Sequence, residues 1–175
     1  MRRPIFLALT ALLLTSSAFA SEVTVESGGL RGVAADGVTA FKGIPYAAPP
    51  VGDLRWRPPA APAGWDGVRK ADRFGPDCMQ NPLPGSKSPV QPSEDCLYLN
   101  VWTPETAGVP KPVLVWIPGG GFVTDSAANP VMDGAGLARR GVVVVTFNYR
   151  LGRFGFFAHP DLTRESGEGP TGNWG

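Results

Sequence analysis

Apolar and polar residues alternate along the chain that follows residue 20. The alternation covers residues 22–27, 30–34 and 38–41, and the segments are separated by Gly28-Gly29 and Asp36-Gly37. Alternation with tight, glycine-containing turns predicts short antiparallel strands. We therefore expect a small antiparallel meander at the start of the folded domain.

Three later segments are short apolar runs without regular alternation: residues 97–103, 113–117 and 142–148. Runs that are apolar on both faces are typical of strands buried between two layers. Between the second and third runs, residues 133–140 predict a short helix with Asp133 as N-cap and Gly141 just past its end. Strand, glycine-rich turn, helix and strand in this order predict a βαβ unit and an α/β fold.

The first twenty residues predict a secretory signal peptide. The pair Arg2-Arg3 precedes an apolar run at residues 5–14, and residues 18–20 end in small side chains. This layout predicts cleavage after residue 20, a mature domain at residues 21–175, and a secreted or periplasmic location. A membrane anchor is disfavoured because the run is about half of the roughly 20 residues that span a bilayer. A twin-arginine export signal is a further alternative.

Composition and charge exclude several classes of partner. The 175 residues are 43% hydrophobic and 18% charged, as in folded globular proteins, and 23 Gly with 19 Pro predict much loop. The formal net charge is +1, and removal of the two arginines of the signal peptide would leave −1. A near-neutral chain has no basic field for nucleic acid and no acidic tail, so we expect no nucleic-acid partner.

Two cysteines, Cys78 and Cys96, flank a proline-rich segment that predicts a surface loop. In an exported chain an even pair favours a disulfide, which would contribute about 3 kcal/mol by closing this loop. A metal half-site is disfavoured because no second Cys or His pair completes tetrahedral zinc, and we expect no metal or organic cofactor. Two unpaired buried thiols are the other alternative.

Three consecutive glycines, Gly119, Gly120 and Gly121, follow the second apolar run. Without Cβ atoms, their backbone N–H groups can point outward together and a ligand atom can approach closely. Such donors suit an acyl-transfer enzyme that stabilises an oxyanion, and they could also hold a phosphate. Neither nucleotide-binding motif, G-x-G-x-x-G or G-x-x-x-x-G-K-[ST], occurs in this segment, which disfavours nucleotides. A flexible turn is the third interpretation.

The residues around the second cysteine resemble a known family. Residues 94–101, EDCLYLNV, are similar at every position to the cysteine-containing signature of the type-B carboxylesterases, relatives of the cholinesterases. Further matches occur in the family's order, at residues 41–50, 54–56, 74–76 and 148–152. The resemblance covers nearly all of residues 22–175.

The resemblance implies an α/β-hydrolase fold, in which the antiparallel meander leads into a central, mostly parallel sheet. It implies hydrolysis of a small-molecule carboxylic ester through a serine acyl-enzyme. Gly120 and Gly121 match the oxyanion-hole glycines, and Gly119 shapes the loop. Phe122 matches the aromatic residue expected to bind substrate beside the acyl site, although core packing is an equally good interpretation.

The resemblance also concerns residues near these glycines and the two cysteines. Cys78 and Cys96 match the family's first disulfide. Pro118 departs from the His or other side chain often found before the glycines, but it leaves all three glycine N–H groups available. The family's loop chemistry is therefore expected to be retained.

The remaining catalytic groups do not occur in the settings that the family requires. Its serine lies in G-x-S-x-G, and no serine here has that setting, including Ser126 and Ser166. The single histidine, His159, lies too early to match the family's base and is interpreted as a surface or loop residue. We expect nucleophile, acid and base to be absent from this chain, which would be the N-terminal third of a longer esterase.

Residues 21–175 alone are expected to show no esterase turnover and to fold poorly. The strand at residues 142–148 should have a parallel neighbour that carries the nucleophile, and without it would be an exposed edge. The alternatives to an esterase are a non-catalytic adhesion or binding protein on the same scaffold and an inactive truncated product; a lipase is a variant in substrate. No oligomeric state is predicted.

Overall fold

The segments with strand-like patterns form strands in a computed structural model, which describes residues 21–81, 85, 88–105, 108–167 and 172–175. The predicted signal peptide lies outside the described residues. The strands are β1 (Glu22–Val25), β2 (Gly28–Arg31), β3 (Val33–Ala35), β4 (Val38–Pro45), β5 (Val68–Lys70), β6 (Asp77–Cys78), β7 (Pro92–Ser93), β8 (Tyr98–Pro104), β9 (Val113–Trp116) and β10 (Val143–Phe147). The helices are α1 (Ala135–Ala138), α2 (Gly152–Gly155) and α3 (Pro160–Ser166), and short 3-10 helices cover Gly52–Leu54 and Pro130–Met132.

A five-stranded sheet has the strand order β3-β4-β8-β10-β9. β9 and β10 are parallel, and α1 connects them, which confirms the predicted βαβ unit. The other neighbours in this sheet, β3/β4, β4/β8 and β8/β10, are antiparallel. In the described part of the chain, the implied parallel arrangement is therefore confined to one strand pair of this sheet.

The N-terminal strands divide between two sheets instead of forming one meander. β1 pairs antiparallel with β2, and β2 pairs parallel with β5 in a three-stranded sheet. β3 and β4 pair antiparallel but belong to the five-stranded sheet. Gly32 lies at the change of sheet, where a Cβ atom would come within 2.8 Å of the Ala40 carbonyl oxygen. The alternation thus predicts the strands and their antiparallel pairs, but not this division.

Helix α1 covers one face of the five-stranded sheet. Its Ala138 is fully buried and packs with Val38, Trp102 and Val144 from three strands of the sheet. The chain approaches the sheet closely just before the helix, because a Cβ atom on Gly134 would lie 2.8 Å from atoms of Trp102 and Val144. This cluster is the apolar core beside the βαβ unit.

The predicted helix at residues 133–140 is confirmed with shorter bounds. Asp133 Oδ1 accepts a hydrogen bond from the N–H of Ala135 at 2.8 Å, as a capping side chain does. Gly141, with φ of 90°, follows the last turn in the left-handed conformation that favours glycine. The helix begins later than predicted because Asp133 has an extended backbone, with ψ of 116°.

The exposed sheet edge is β9, so the expectation that residues 142–148 would form an edge is wrong. β10 pairs with β8 on one side and β9 on the other, whereas β9 pairs with β10 alone. Both faces of β9 are exposed, because Val115 on one face is 56% accessible and Trp116 on the other is 44% accessible. The expected burial between two layers therefore does not hold for this strand. The crossover through α1 inserts β10 between two strands that precede it in the chain.

Cys78 and Cys96 form a disulfide with Cα atoms 4.9 Å apart. Both cysteines are buried and pack in one apolar cluster with Ala47, Leu97 and Leu151. Part of the predicted surface loop between them, residues 82–84 and 86–87, lies outside the described residues. The disulfide therefore joins β6, which contains Cys78, to the residues just before β8 through a buried covalent link.

Candidate active site

The three glycines lie beyond the carboxyl end of β9, next to the carboxyl end of its parallel neighbour β10. Tyr149, two residues after β10, donates its hydroxyl proton toward the carbonyl oxygens of Pro118 and Gly119 at 3.1 and 3.2 Å. Burial raises the pKa of the Tyr149 hydroxyl, so it stays a donor at neutral pH. The carboxyl ends of adjacent strands are the usual place for ligands in open α/β sheets.

The chain reverses direction at Gly120. The N–H of Val123 donates to the Gly120 carbonyl at 3.2 Å, and the two residues between, Gly121 and Phe122, have φ of 61° and 65°. Gly120 has φ of 85°, and a Cβ atom there would lie 1.9 Å from the carbonyl oxygen of Thr124. Only glycine fits at position 120. At Gly121 a Cβ atom would meet nothing within 4 Å.

The backbone N–H groups of the glycines are free to bind a ligand. Gly119, Gly120 and Gly121 are all exposed. No hydrogen bond between described residues uses their N–H groups. An exposed N–H without an internal partner can donate to an oxygen that carries negative charge. The loop therefore presents adjacent donors at one end of the sheet.

Phe122 lies on the surface and is not part of the core. Its side chain is 62% exposed, and its ring centroid lies 5.1 Å from that of Phe156 and 6.5 Å from that of Tyr149. Its carbonyl oxygen accepts a hydrogen bond from the N–H of Gly152 at 2.7 Å. These contacts hold a non-glycine residue at positive φ, which is uncommon. The predicted contact of Phe122 with substrate stays a prediction.

Gln80, which the sequence patterns did not single out, holds the segment after the glycines. Its Oε1 accepts hydrogen bonds from Thr124 Oγ1 and from the N–H of Asp125, both at 2.8 Å. Its Nε2 donates to the carbonyl oxygens of Cys78 at 3.1 Å and Asp125 at 2.8 Å. The only available sequence signal was its position two residues after Cys78.

Ser126 belongs to a buried polar network and has a structural partner. Its hydroxyl donates to Asp77 Oδ1, and its Oγ accepts from the N–H of Ala128 at 2.9 Å. The neighbouring Ala127 donates its N–H to Asn148 Oδ1 at 2.9 Å. Burial raises the pKa of the Asp77 carboxyl, and the hydrogen bond from Ser126 partly opposes this. The network supports the chain between the glycine loop and the 3-10 helix.

A cavity of about 470 Å³ lies beside the glycine loop. Gln80 and Val123 line it together with Gly152 and Arg153 of α2. Its volume falls within the range of small-molecule sites, about 300–1,000 Å³. The segment after Cys78, Val123 beyond the glycines and the chain after β10 therefore meet at one concave surface.

His159 caps helix α3 and is confirmed as a surface residue. Its Nδ1 accepts a hydrogen bond from the N–H of Asp161 at 3.2 Å, and its ring stacks with Phe157 at 6.1 Å between centroids. Its side chain is half exposed. The histidine therefore has a local structural role at the start of α3.

Within residues 21–81, 85, 88–105, 108–167 and 172–175, no three or more His, Cys, Asp and Glu side chains group to hold a metal ion. Among the helices of those same ranges, none has the length and apolar character needed to cross a bilayer.

Comparison with known proteins shows the family to which this chain belongs. A model of the carboxylesterase family matches residues 20–175. The fumonisin B1 esterase of Sphingopyxis macrogoltabida is 55% identical over 153 residues, which are 86% of this chain and 28% of that protein. The para-nitrobenzyl esterase of Bacillus subtilis (strain 168) is 46% identical over 139 residues, 77% of this chain and 28% of that protein. This chain thus spans about 28% of the length of these curated relatives.

Solved structures of similar proteins confirm the fold class. A PNB esterase structure aligns with a TM-score of 0.78 and 41% identity, over 88% of this chain and 32% of that chain. A carboxylesterase of Geobacillus stearothermophilus aligns with a TM-score of 0.69 and 49% identity, over 77% of this chain and 27% of that chain. These structures have the α/β-hydrolase fold, as the sequence predicted.

Proposed function

We propose that this chain, which belongs to the carboxylesterase family, contributes the oxyanion-binding loop of an enzyme that hydrolyses small-molecule carboxylic esters. The observation that carries the proposal is the exposure of Gly120 and Gly121, whose N–H groups make no hydrogen bond to another described residue. They lie in a turn that only glycine at position 120 allows. The similar proteins named as esterases support the same reaction class.

In the proposed reaction, a serine oxygen attacks the ester carbonyl carbon while a base takes the serine proton. The carbonyl oxygen becomes an oxyanion, and the N–H groups of Gly120 and Gly121 donate to it, with a third donor after the nucleophile. Collapse breaks the bond to the alcohol oxygen, which leaves with the proton from the base. Water then attacks the acyl-enzyme in the same way and releases the carboxylic acid.

The serine, its base and the orienting acid are proposed to lie in a part of the protein that follows residues 21–175. Within this chain no serine has the G-x-S-x-G setting, and His159 is occupied as a helix cap. Residues 21–175 would thus be the N-terminal part of the α/β-hydrolase domain. We infer that Phe122, exposed directly after the glycines, contacts the bound substrate.

The protein is proposed to be exported by the signal peptide at residues 1–20. The buried disulfide between Cys78 and Cys96 supports this location, because disulfides form and persist in oxidising compartments. The disulfide also fixes Cys78, whose carbonyl oxygen accepts a hydrogen bond from Gln80 beside the glycine loop.

The test is a comparison of Gly120→Ala with Gly121→Ala in the full-length gene product. We expect Gly120→Ala to lower kcat on p-nitrophenyl butyrate by about 100-fold or more, because the new Cβ would collide with the Thr124 backbone. Gly121→Ala meets open space and keeps its N–H, so we expect a loss of about tenfold or less, due to its positive φ.

A trifluoromethyl ketone, whose adduct with serine carries an oxyanion, provides a second readout. Its affinity should fall in parallel with kcat/KM in the Gly120→Ala variant. Residues 21–175 alone serve as the control without a nucleophile and should show no turnover. Full-length protein that neither hydrolyses short-chain esters nor reacts with an organophosphonate would contradict the proposal and favour the binding-protein alternative.

A further inference from the structure

The Gln80 side chain makes hydrogen bonds with all of its donors and acceptors. An amide group has two acceptor positions and two N–H donors, and Gln80 uses them with Thr124, Asp125 and Cys78. A reversed amide would place its NH2 group against the Asp125 N–H, and its oxygen against the carbonyl oxygens of Cys78 and Asp125. The side chain therefore has one orientation, and its partners are held to one geometry.

Two of these partners, Thr124 and Asp125, belong to the segment that follows the glycine loop and packs closely against Gly120. If Gly120 had a Cβ atom, that atom would lie only 1.9 Å from the carbonyl oxygen of Thr124. Thr124 is buried, and its hydroxyl donates to Gln80 at 2.8 Å. A shift of Thr124 would change the space behind Gly120 and the direction of the Gly120 and Gly121 N–H groups.

Asp125 adds a constraint on the backbone. Its φ is 105°, a region that residues with side chains rarely adopt, and Gln80 binds both its N–H and its carbonyl oxygen at 2.8 Å. Two hydrogen bonds from one side chain to one peptide residue hold it in a conformation that costs free energy by itself. Without them, the segment after the glycines would relax toward a more common backbone conformation.

The other end of this arrangement is rigid. Gln80 Nε2 donates to the carbonyl oxygen of Cys78, which is 2% exposed and bonded to Cys96 in the apolar core. Gln80 thus connects the segment after the glycines to a disulfide-linked core segment more than 40 residues earlier in the chain. The glycine loop itself is also held by hydrogen bonds from Tyr149.

We propose that Gln80 is a positioning residue for the oxyanion hole, acting through Thr124 and Asp125. The inference rests on the proposed function, since it assigns Gln80 to the same loop. It requires that Gln80 affect the transition state more than substrate binding, because the loop donors contact the oxygen fully only when it carries charge.

The experiment compares Gln80→Leu and Gln80→Glu in the full-length enzyme, with concentrations set by active-site titration. Gln80→Leu removes all four hydrogen bonds at similar volume. Gln80→Glu keeps both acceptors but replaces the two donors by an oxygen facing the carbonyls of Cys78 and Asp125. We expect each to lower kcat about 10- to 100-fold with KM changed by less than about threefold. The affinity for a trifluoromethyl ketone should fall by the same factor as kcat/KM.

Three further variants separate positioning from general damage to the fold. Thr124→Ser keeps the hydroxyl that donates to Gln80 and should retain kcat, whereas Thr124→Val removes it and should lose about tenfold. Gln91→Leu changes an exposed glutamine whose described hydrogen bond uses only its backbone carbonyl, and it should leave kcat unchanged.

The outcomes distinguish this inference from the proposed function. Wild-type protein without hydrolysis or organophosphonate labelling would overturn the proposed function and this inference with it. Active wild-type enzyme with Gln80→Leu and Gln80→Glu variants that keep kcat within about twofold per titrated site would overturn this inference alone. A parallel fall of kcat/KM and ketone affinity in those variants would support it.

Discussion

At the residue scale, the glycine loop and the segment after it depend on groups that lie far away in the sequence. Phe122 and Asp125 both have positive φ, and neither is a glycine. Their conformations are held by the N–H of Gly152 and by the amide of Gln80. Strained backbone often occurs at functional sites because the surrounding structure holds the unfavourable angles. Here the holding groups can be removed one at a time.

The buried carboxyl of Asp77 carries a residue-scale prediction about pH. Burial raises the pKa of the Asp77 carboxyl in the folded state above its ordinary value. The folded state therefore binds this proton more tightly, and the resulting stability is present below the unfolded pKa and lost as pH rises through the folded pKa. Asp77→Asn stays neutral and keeps an oxygen that can accept from Ser126, so its Tm should gain a few degrees relative to wild type as pH rises toward 7.

Thermal unfolding of the full-length protein from about pH 4 to pH 7 measures this difference. Asp66→Asn, which changes an exposed aspartate, is the matched control and should not show the same trend. If the Tm of Asp77→Asn instead falls relative to that of wild type as pH rises, the raised pKa of Asp77 would be contradicted.

At the element scale, β9 is the strand whose apolar side chains are left exposed at a sheet edge. It provides the strand from which the glycine loop leaves, and it is an edge strand with apolar side chains exposed on both faces. An exposed, apolar edge has free N–H and C=O groups that can pair with another chain. We therefore expect an uncovered β9 edge to associate with another polypeptide segment.

Self-association of residues 21–175 tests the exposed character of β9. We expect the isolated polypeptide to form oligomers or aggregates, and Val115→Lys to raise the monomer fraction several-fold by placing a charge on the edge strand. Light scattering coupled to size exclusion measures this. Val131→Lys, at a 77% exposed position in a 3-10 helix, is the control and should have no such effect. An equal response to both substitutions would exclude β9 as the contact.

At the scale of the whole molecule, the chain belongs to the carboxylesterase family. It carries a buried disulfide, the βαβ unit and the glycine loop, and it spans about 28% of its curated relatives. The carbonyl oxygen of Ser21 accepts a hydrogen bond from the N–H of Gly32 at 2.9 Å. The fold therefore uses the residue that would follow the predicted cleavage site.

Export supplies a prediction at this scale. When the full-length gene is expressed in a bacterial host with an intact secretion pathway, the protein outside the cytoplasm should begin at Ser21. Mass spectrometry identifies the N-terminal peptide and so measures this. The same experiment should find Cys78 and Cys96 joined by a disulfide. Arg2→Glu with Arg3→Glu should reduce export by removing the positive region. Recovery of an uncleaved, cytoplasmic protein with both thiols free would contradict the proposed location.

Much of the fold and part of the site could be predicted from the sequence because they depend on local properties. Alternation indicates strands, a lack of Cβ atoms indicates the glycine loop, and the even pair Cys78 and Cys96 indicates a disulfide. The family signature at residues 94–101 then determined the fold class, which the solved structures of relatives confirm.

Only the tertiary structure decided which elements and side chains meet. It placed β10 inside the sheet and β9 at its edge, and it divided the N-terminal strands between two sheets. It also brought Gln80 to Thr124 and Asp125, which follow it by 44 and 45 residues. Strand order and long-range hydrogen bonds arise from the packing of distant segments, so no periodicity or motif within one segment contains them.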